Sequence, residues 1–316
     1  MSIQHANASG DRKSPEALSL KHRPRPAEVL IYGFLFFCGV VSIFTTLGIV
    51  YELGKESLPF FSTPGVNLIT FFTGTKWQPQ AGDFGILPLL TATLMTSTIA
   101  MLVATPLGIS AAIFLSEYAD PKLRQTLKPT LEVLAGVPTV VYGYFALTFM
   151  TPLLRAIFGQ DMVEVYNTGS AGLVMGILIL PLISSMAEDA LTAVPQALRE
   201  AAYGLGATKL EVAVQVVLPA AVSGLAAAML VAISRAIGET MIVAIAAGAG
   251  PRFTLNPFQA AETMSGHIVR ISGGDLSYNS IDYNSLFAIG LLLFVVTAAI
   301  NLLSQQVVRR LRKNFS

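Results

Sequence analysis

Two ionisable residues, Arg235 and Glu239, lie in a segment that is otherwise uncharged over nearly thirty residues. Each ionised side chain near the centre of a bilayer costs about 2.5–3.5 kcal/mol on insertion scales, so the presence of two needs a physical reason. If the segment is helical, a spacing of four places both side chains on one face. One interpretation is mutual neutralisation in the protein interior. In the other, Arg235 binds a tetrahedral oxyanion through its fixed N–H donors, and Glu239 holds the guanidinium when no anion is present.

The composition is that of a protein embedded in a membrane. Hydrophobic residues make up 53% of the 316 residues and charged residues only 12%, with a mean hydropathy of +0.64. An ordinary soluble domain is about 25% charged. The net charge of +1 is not gathered in a basic stripe, which argues against nucleic-acid binding. A single cysteine, Cys38, and no Cys/His cluster predict neither a disulfide nor a metal site.

No residue arrangement typical of an enzyme occurs in the sequence. A G-x-x-x-x-G-K-[ST] phosphate loop is absent, and GLGATK at 204–209 has the wrong spacing. No Ser/His/Asp or Cys/His arrangement suggests hydrolysis within the membrane. We therefore expect no catalytic residue, no cofactor and no metal in this chain. His22 and His267 lie in polar stretches without metal-ligand spacing, and we expect both to be solvated.

Apolar runs of about 17–25 residues or more indicate transmembrane helices. Six such runs predict an all-α integral membrane protein with six spans. The predicted spans are 29–51, 86–116, 131–154, 170–187, 220–248 and 283–308.

The polar stretches between the spans define the predicted organisation of the chain. A polar and basic tail at 1–27 precedes the first transmembrane helix at 28–52, and a loop at 53–85 follows, in which Trp77 is expected to anchor at the membrane interface. The other spans form a core at 86–308, before a basic tail at 309–316. Loops are expected within the core at 117–128, 155–169 and 249–282.

Two spans contain residues that can bend a helix or let it pack closely. Pro106 and Gly108 are the expected kink sites of the second span. Gly136, Pro138 and Gly143 interrupt the third span, where they permit a bend and close contact between helices.

The distribution of Lys and Arg predicts the orientation in the membrane. If the N-terminus is inside, the inner segments hold fourteen of the twenty basic residues, the outer loops hold five, and Arg235 lies within the membrane. Both termini are therefore expected in the cytoplasm, as is the polar segment 195–219.

The segment 195–219 is predicted to form two short helices. Pro195 suits the first turn of the first helix, and Gly204 or Gly206 can end that helix in the left-handed conformation. Thr208 and Glu211 have the spacing of a capping box for the second helix. Pro219 then disturbs that helix.

The same segment carries a recognisable motif. Its residues match the EAA motif of ABC-importer permeases, with valine in place of the usual isoleucine, at Glu200, Ala201, Ala202, Gly206, Val216, Leu218 and Pro219. The resemblance implies a cytoplasmic coupling helix near 195–212 that fits a cleft in a separate ATPase subunit, which binds ATP-Mg.

A narrower resemblance is carried by three segments in order: EVLAGVPTVVYGY at 132–144, the EAA segment, and SRAIGETM at 234–241. Together they are similar to the PstC-type permeases of bacterial phosphate-specific ABC importers, over roughly residues 86–308. The resemblance implies the type I ABC importer permease fold in the bacterial inner membrane, with Arg235 and Glu239 implicated in phosphate translocation. It also implies a PstA-like second permease, a PstB-like ATPase dimer and a PstS-like periplasmic binding protein as partners, beside membrane lipid.

Other functions remain open at this point. PstA-type permeases share much of the pattern, and phosphonate, molybdate or sulfate is an alternative substrate. A self-contained secondary transporter would need internal repeats with broken helices, which are not apparent, and a membrane sensor or scaffold would not need intramembrane charges. Pro219 leads into the span that carries Arg235, about sixteen residues or roughly 24 Å further along. We therefore expect one continuous helix to join segment 195–219 to the anion site.

Overall fold

The computed structural model describes residues 26–274, 277–278 and 280–315, without the side chains of 26, 307 and 310–315. The described chain is almost entirely helical. Its helices are α1 (Pro26–Phe61), α2 (Leu68–Thr73), α3 (Leu87–Ile113), α4 (Pro121–Ala135), α5 (Thr139–Phe145), α6 (Thr151–Phe158), α7 (Thr168–Thr192), α8 (Gln196–Gly204), α9 (Lys209–Glu211), α10 (Leu218–Ala220), α11 (Val222–Gly238), α12 (Met241–Ala246), α13 (Met264–Ser272) and α14 (Ile281–Phe315).

Irregular turns join several of these helices. Wider π-helical turns follow α3 at Phe114–Tyr118, join α5 to α6 at Ala146–Met150, and join α9 to α10 at Val212–Val217. The one small sheet among the described residues pairs β1 (Trp77–Gln78) with β2 (Asp83–Phe84) in antiparallel register, with Trp77 opposite Phe84.

Two units make up the chain, residues 1–49 and residues 50–316. In the first unit, the described part of α1 leaves large apolar side chains such as Phe34, Phe37 and Phe44 exposed. Exposed apolar surface on a long uncharged helix is what a lipid environment requires. The predicted tail 1–27 and His22 lie outside the described residues, apart from the start of α1.

Within the described residues, five helical segments are long and apolar enough to cross a membrane: Ala27–Phe61, Leu87–Tyr118, Thr139–Phe158, Thr168–Thr192 and Ile281–Gln306. A sixth span exists if the pair Lys209–Ala220 and Val222–Gly238 is counted as one, but that pair is bent by 73°. The predicted continuous helix between Pro219 and Arg235 is therefore wrong. Pro219 cannot donate a backbone hydrogen bond, and the chain turns two residues later, at Ala221.

The core of the second unit is built around α7 and α3. Val174, Met175, Leu178, Ile179 and Ile183 of α7 are buried in its main apolar cluster. Small residues bring the two backbones together: a Cβ atom at Gly108 would lie 2.7 Å from Ile183 Cγ2, and one at Gly176 would lie 2.9 Å from the Ala100 carbonyl oxygen. Helices approach this closely in membranes where Gly replaces larger residues. Gly108 thus serves packing, while α3 continues through Pro106.

Several predicted loops contain helices. Residues 117–128 largely form α4, which begins with Pro121 at its first turn and carries an amphipathic rather than an apolar pattern. Helix α1 extends ten residues beyond the predicted first span, to Phe61, and α13 lies within the predicted loop 249–282.

The third span begins later than predicted, at Thr139. Gly136 ends α4 and Pro138 precedes α5, so these two residues separate two helices instead of bending one. Gly143 lies inside α5, where an added Cβ would be 2.9 Å from Ile245 Cδ1. Of the three residues, Gly143 therefore has the predicted packing role.

Candidate functional site

The residues Arg235 and Glu239 lie at a break between two helices. Arg235 is in the last turn of α11, which ends at Gly238. Glu239 has an extended backbone (φ −64°, ψ 134°), and α12 begins only at Met241. The predicted sharing of one helical face by Arg235 and Glu239 is therefore wrong, because the helix ends before Glu239.

The two side chains are not paired in this structure. Arg235 is exposed and Glu239 is half-buried, and among the described residues no hydrogen bond or ion pair reaches either side chain. Arg235 shares the exposed face of α11 with Val231 and Gly238. Its neighbour Ala236 belongs to the same buried cluster as Ala100, near the middle of α3. The guanidinium of Arg235 therefore lies next to this cluster in the chain and is open to the space beside α11.

The break is held in place by hydrogen bonds from neighbouring helices. The Ser265 hydroxyl of α13 donates to the Glu239 carbonyl oxygen at 2.8 Å. The backbone N–H of Met264, in the same helix, donates to the Thr93 hydroxyl of α3 at 2.9 Å. On the other side, the Ser234 hydroxyl donates to the Asn301 side chain of α14. These contacts fix the free end of α11 between α3, α13 and α14.

A buried polar network surrounds the start of α13. Trp77 Nε1 donates to His267 Nε2 at 3.1 Å, and His267 Nδ1 lies 3.0 Å from Glu262 Oε2. Because the indole N–H can only donate, His267 Nε2 must accept and the proton must be on Nδ1, which donates to Glu262. His267 is thus a neutral link between Trp77 and a carboxylate.

Arg270 supplies the counter-charge to that carboxylate. Its Nη2 donates to Glu262 Oε2 at 3.0 Å, and the Gly250 N–H also donates to Oε2, at 3.2 Å. Burial, the largest single influence, raises the pKa of Glu262, but the hydrogen bonds from His267 and Arg270 outweigh it and hold the pKa below its ordinary value.

Two predictions about this region are wrong. Trp77 is 2% exposed and His267 is 4% exposed, so the first is not an interface anchor and the second is not solvated. The two residues are 190 positions apart, and no local spacing pointed to their contact.

The segment 195–219 has the predicted local structure. Pro195 lies one residue before α8, at its N-cap, and Gly206 adopts φ +86° after the helix. The capping box is formed, with the Thr208 side chain accepting from the Glu211 N–H and the Glu211 carboxylate accepting from the Thr208 N–H. The hydrogen bonds from Thr208 lower the pKa of Glu211.

The EAA residues differ in exposure. Glu200, Ala201 and Gly206 are exposed, while Ala202, Leu218 and Pro219 are half-buried. The surface around them is also apolar: Leu205 is 90% exposed and Leu210 is 62% exposed. These two leucines leave apolar surface exposed on an otherwise polar element.

Charged residues that the sequence did not single out lie beneath this element. Glu188 of α7 is fully buried and accepts hydrogen bonds from Arg124 and from Lys128, the latter at 2.6 Å. Desolvation lowers the pKa of Lys128, but the bonds to Asp189 and Glu188 outweigh this and raise it. Arg199 of α8 is paired with Glu117 at 2.9 Å. A carboxylate close to the end of a long apolar run, as at Glu188, indicates a buried charge that needs a basic partner. Counting Lys and Arg in the loops does not use this signal.

Metal binding has no support in the described residues, where no group of three or more His, Cys, Asp or Glu side chains is placed to hold an ion.

Residues 104–313 match the family model described as "Binding-protein-dependent transport system inner membrane component". The chain is 33% identical over 262 residues to a probable ABC transporter permease of Bacillus subtilis, with 82% of this chain and 84% of the relative covered. It is 34% identical over 284 residues to a phosphate transport system permease protein, PstC, of Mesorhizobium japonicum, with 84% of each covered.

Solved structures show the same fold. A bacterial ABC transporter involved in the import of the acidic polysaccharide alginate matches with a TM-score of 0.61 and 17% identity, over 91% of this chain and 99% of that one. The inward-facing MetNI methionine ABC transporter matches with a TM-score of 0.51 and 22% identity, over 72% of this chain and 94% of that one.

Proposed function

The chain belongs to the family of binding-protein-dependent transport system inner membrane components, and we propose that it imports inorganic phosphate as one permease subunit of an ABC transporter. The observation that carries the proposal is the exposed, unpaired guanidinium of Arg235 at the broken end of α11. Relatives at 33–34% identity that are named phosphate transport permeases support this substrate.

Arg235 is the proposed phosphate contact. A guanidinium presents several N–H donors in one plane, which suits two oxygens of a tetrahedral anion. Because no carboxylate occupies these donors in the described residues, an anion does not first have to displace one. Glu239, at the break, adds a negative charge near the path and limits how tightly the anion is held.

The power for transport comes from partners. The exposed surface of α8 and α9, including Leu205 and Leu210, is the proposed contact with a PstB-like ATPase dimer that binds ATP-Mg. A PstS-like binding protein delivers phosphate from the periplasm, and a PstA-like second permease completes the pathway. Both termini and the α8–α9 surface are then cytoplasmic, as the positions of Lys and Arg favour.

Another oxyanion, such as phosphonate, molybdate or sulfate, would also suit an arginine. A secondary transporter would need broken helices, and breaks do occur at Ala221 and Glu239. The motif residues of α8 and their exposed surface still favour an ATPase-driven subunit over that alternative.

The test uses the complex that co-purifies with the chain, reconstituted in proteoliposomes with its binding protein. We expect phosphate-loaded binding protein to stimulate ATP hydrolysis and phosphate uptake. Arg235→Gln and Arg235→Lys should abolish uptake while the complex still assembles, whereas Lys122→Gln, which removes an exposed positive charge of α4, should not. Unchanged uptake in the Arg235 variants removes that residue from the pathway, and stimulation by sulfate- or molybdate-loaded protein alone contradicts the substrate.

A further inference from the structure

Arg199 is the one buried residue of α8, at 7% exposure. Neighbours such as Glu200 and Ala201 point to the solvent-exposed side. A long cationic side chain is rarely buried unless its donors are satisfied, so its contacts indicate what the helix is attached to.

The guanidinium of Arg199 makes hydrogen bonds to three residues, which lie at the ends of two helices. Nη2 donates to Glu117 Oε1 at 2.9 Å, and Nε donates to the same oxygen at 3.2 Å. Nη2 also donates to the Leu191 carbonyl oxygen at 2.8 Å, and Nη1 donates to that of Val194 at 2.6 Å. Leu191 is in the last turn of α7 and Val194 lies just beyond it, where carbonyl groups lack helical partners and a positive charge is favoured.

Glu117 brings the end of α3 into the same contact. It lies in the π-helical turn Phe114–Tyr118 that ends this helix, and its side chain is 6% exposed. A carboxylate and a guanidinium buried together each depend on the other, because removal of either leaves an uncompensated buried charge. Helix α8 is therefore tied to the ends of both α3 and α7 by one side chain.

The alternative connection along the chain is not straight. Between α8 and α11 the backbone passes through a π-helical turn and a 73° bend at Ala221. By contrast, α3 and α7 pack closely along their length through Gly108, Gly172 and Gly176. We therefore expect a displacement of α8 to act on α3 and α7 more directly than on α11.

We propose that the Arg199–Glu117 pair is the joint that transmits movement of α8 and α9, the proposed ATPase contact, to the transmembrane helices α3 and α7. Arg199 and Glu117 are positioning residues, since neither touches the transported anion. The buried Glu188, bonded to Lys128 and Arg124, binds α4 to the same end of α7 and keeps that end rigid. The inference rests on the proposed ATPase-driven transport.

The experiment measures the number of anions transported per ATP hydrolysed by the reconstituted complex. In Arg199→Ala and Glu117→Ala, we expect this ratio to fall at least about ten-fold, equivalent to about 1.4 kcal/mol of coupling, while the ATPase subunit still co-purifies. Arg199→Lys should restore part of the ratio, because it keeps the charge but not the fork of donors. The double variant should be no worse than Arg199→Ala, because that substitution alone already removes the ion pair together with the bonds to the Leu191 and Val194 carbonyl oxygens.

Lys122→Gln is the matched control, as an exposed basic residue of α4 outside this contact. An unchanged ratio in assembled Arg199→Ala and Glu117→Ala complexes overturns the joint, and so do effects that multiply in the double variant. If the alanine variants do not assemble, Arg199→Lys and Glu117→Asp decide by the same ratio. The ratio is measured with the oxyanion that stimulates ATP hydrolysis by the wild-type complex. If that oxyanion is not phosphate, the substrate proposal fails in the wild type alone, while the variants still test the Arg199–Glu117 pair.

Discussion

The charged residues discussed above differ in whether an oppositely charged side chain compensates them. Glu117, Glu188 and Glu262 are buried, and each is matched by an Arg or Lys. Arg235 is exposed and, as far as the structure describes the chain, has no such partner. Buried charges must be compensated within the fold, whereas a charge without a partner in a predicted span is available to a ligand. This contrast separates structural charge pairs from the proposed anion contact.

Glu262 makes a prediction about acid stability at the residue scale. Its pKa lies below the ordinary value of 4.5 in the folded protein, so it stabilises the fold above that value, and the contribution is lost as the pH falls through the lowered pKa. Glu262→Gln should lower stability at pH 7 by about 1.5–3 kcal/mol, the cost of losing a hydrogen bond to a charged group. Thermal unfolding of the detergent-solubilised protein between pH 7 and 3 measures both effects.

The matched control is Glu164→Gln, whose ion pair with Arg252 is half-exposed and is worth about 0–1 kcal/mol. A glutamine carbonyl can still accept the hydrogen bond from the Ala260 N–H that Glu164 accepts. If the stability of Glu262→Gln fell with decreasing pH as steeply as that of the wild type, another group would be responsible for the loss of stability in acid.

At the scale of elements, short helices and breaks position the functional residues. Gly206 is the residue that separates α8 from α9, with φ +86°. A left-handed conformation costs an L-residue roughly 1–2 kcal/mol. An added Cβ at Gly206 would meet nothing within 4 Å, so glycine is needed here for its backbone conformation and not for lack of space.

Gly206→Ala should therefore tilt α8 against α9 or destabilise the element by about 1–2 kcal/mol. We expect weaker co-purification of the ATPase subunit and less transport per ATP. Gly204→Ala is the control, because Gly204 ends α8 with helical geometry and open space, and alanine favours a helix by about 0.5–1 kcal/mol. Equal effects of the two substitutions would contradict the backbone explanation.

At the scale of the whole molecule, the second unit is organised by the contact of α3 with α7. Side chains near both ends of α3 bond to other helices. Thr93 accepts a hydrogen bond from Met264 of α13, near the break at Glu239. Glu117, in the turn after α3, accepts one from Arg199 of α8. Close packing through glycines makes this pair of helices rigid. The proposed ATPase contact at α8 and α9 and the proposed anion contact are thus joined through one well-packed pair of helices.

Gly108→Ala tests that packing. The added methyl group would lie 2.7 Å from Ile183 Cγ2, and overpacking of this kind costs about 1–3 kcal/mol. We expect a lower midpoint of thermal unfolding and reduced uptake. The control is Gly48→Ala in the described part of α1, where an added Cβ would meet nothing within 4 Å, and it should change stability by less than about 0.5 kcal/mol. If Gly48→Ala destabilised the protein as much as Gly108→Ala, the loss would not be due to the contact between α3 and α7.

The sequence by itself determined the class of fold, most spans, the capping box at Thr208 and the left-handed Gly206. These depend on local signals: the length of apolar runs, the spacing of cap residues and the conformational freedom of glycine. The motif residues of 195–219 likewise stand in one continuous stretch, so their recognition needed no knowledge of the fold.

Only the tertiary structure decided which polar side chains meet. Trp77 and His267 are 190 positions apart, and Arg199 and Glu117 are 82 apart, so no helical or strand period relates them. Arg235 and Glu239, four apart, are separated because the helix ends between them at Gly238. Local spacing predicts a contact only where the backbone stays regular, and the packing of α11 against its neighbours, through bonds such as Ser265 to Glu239, sets where that regularity ends.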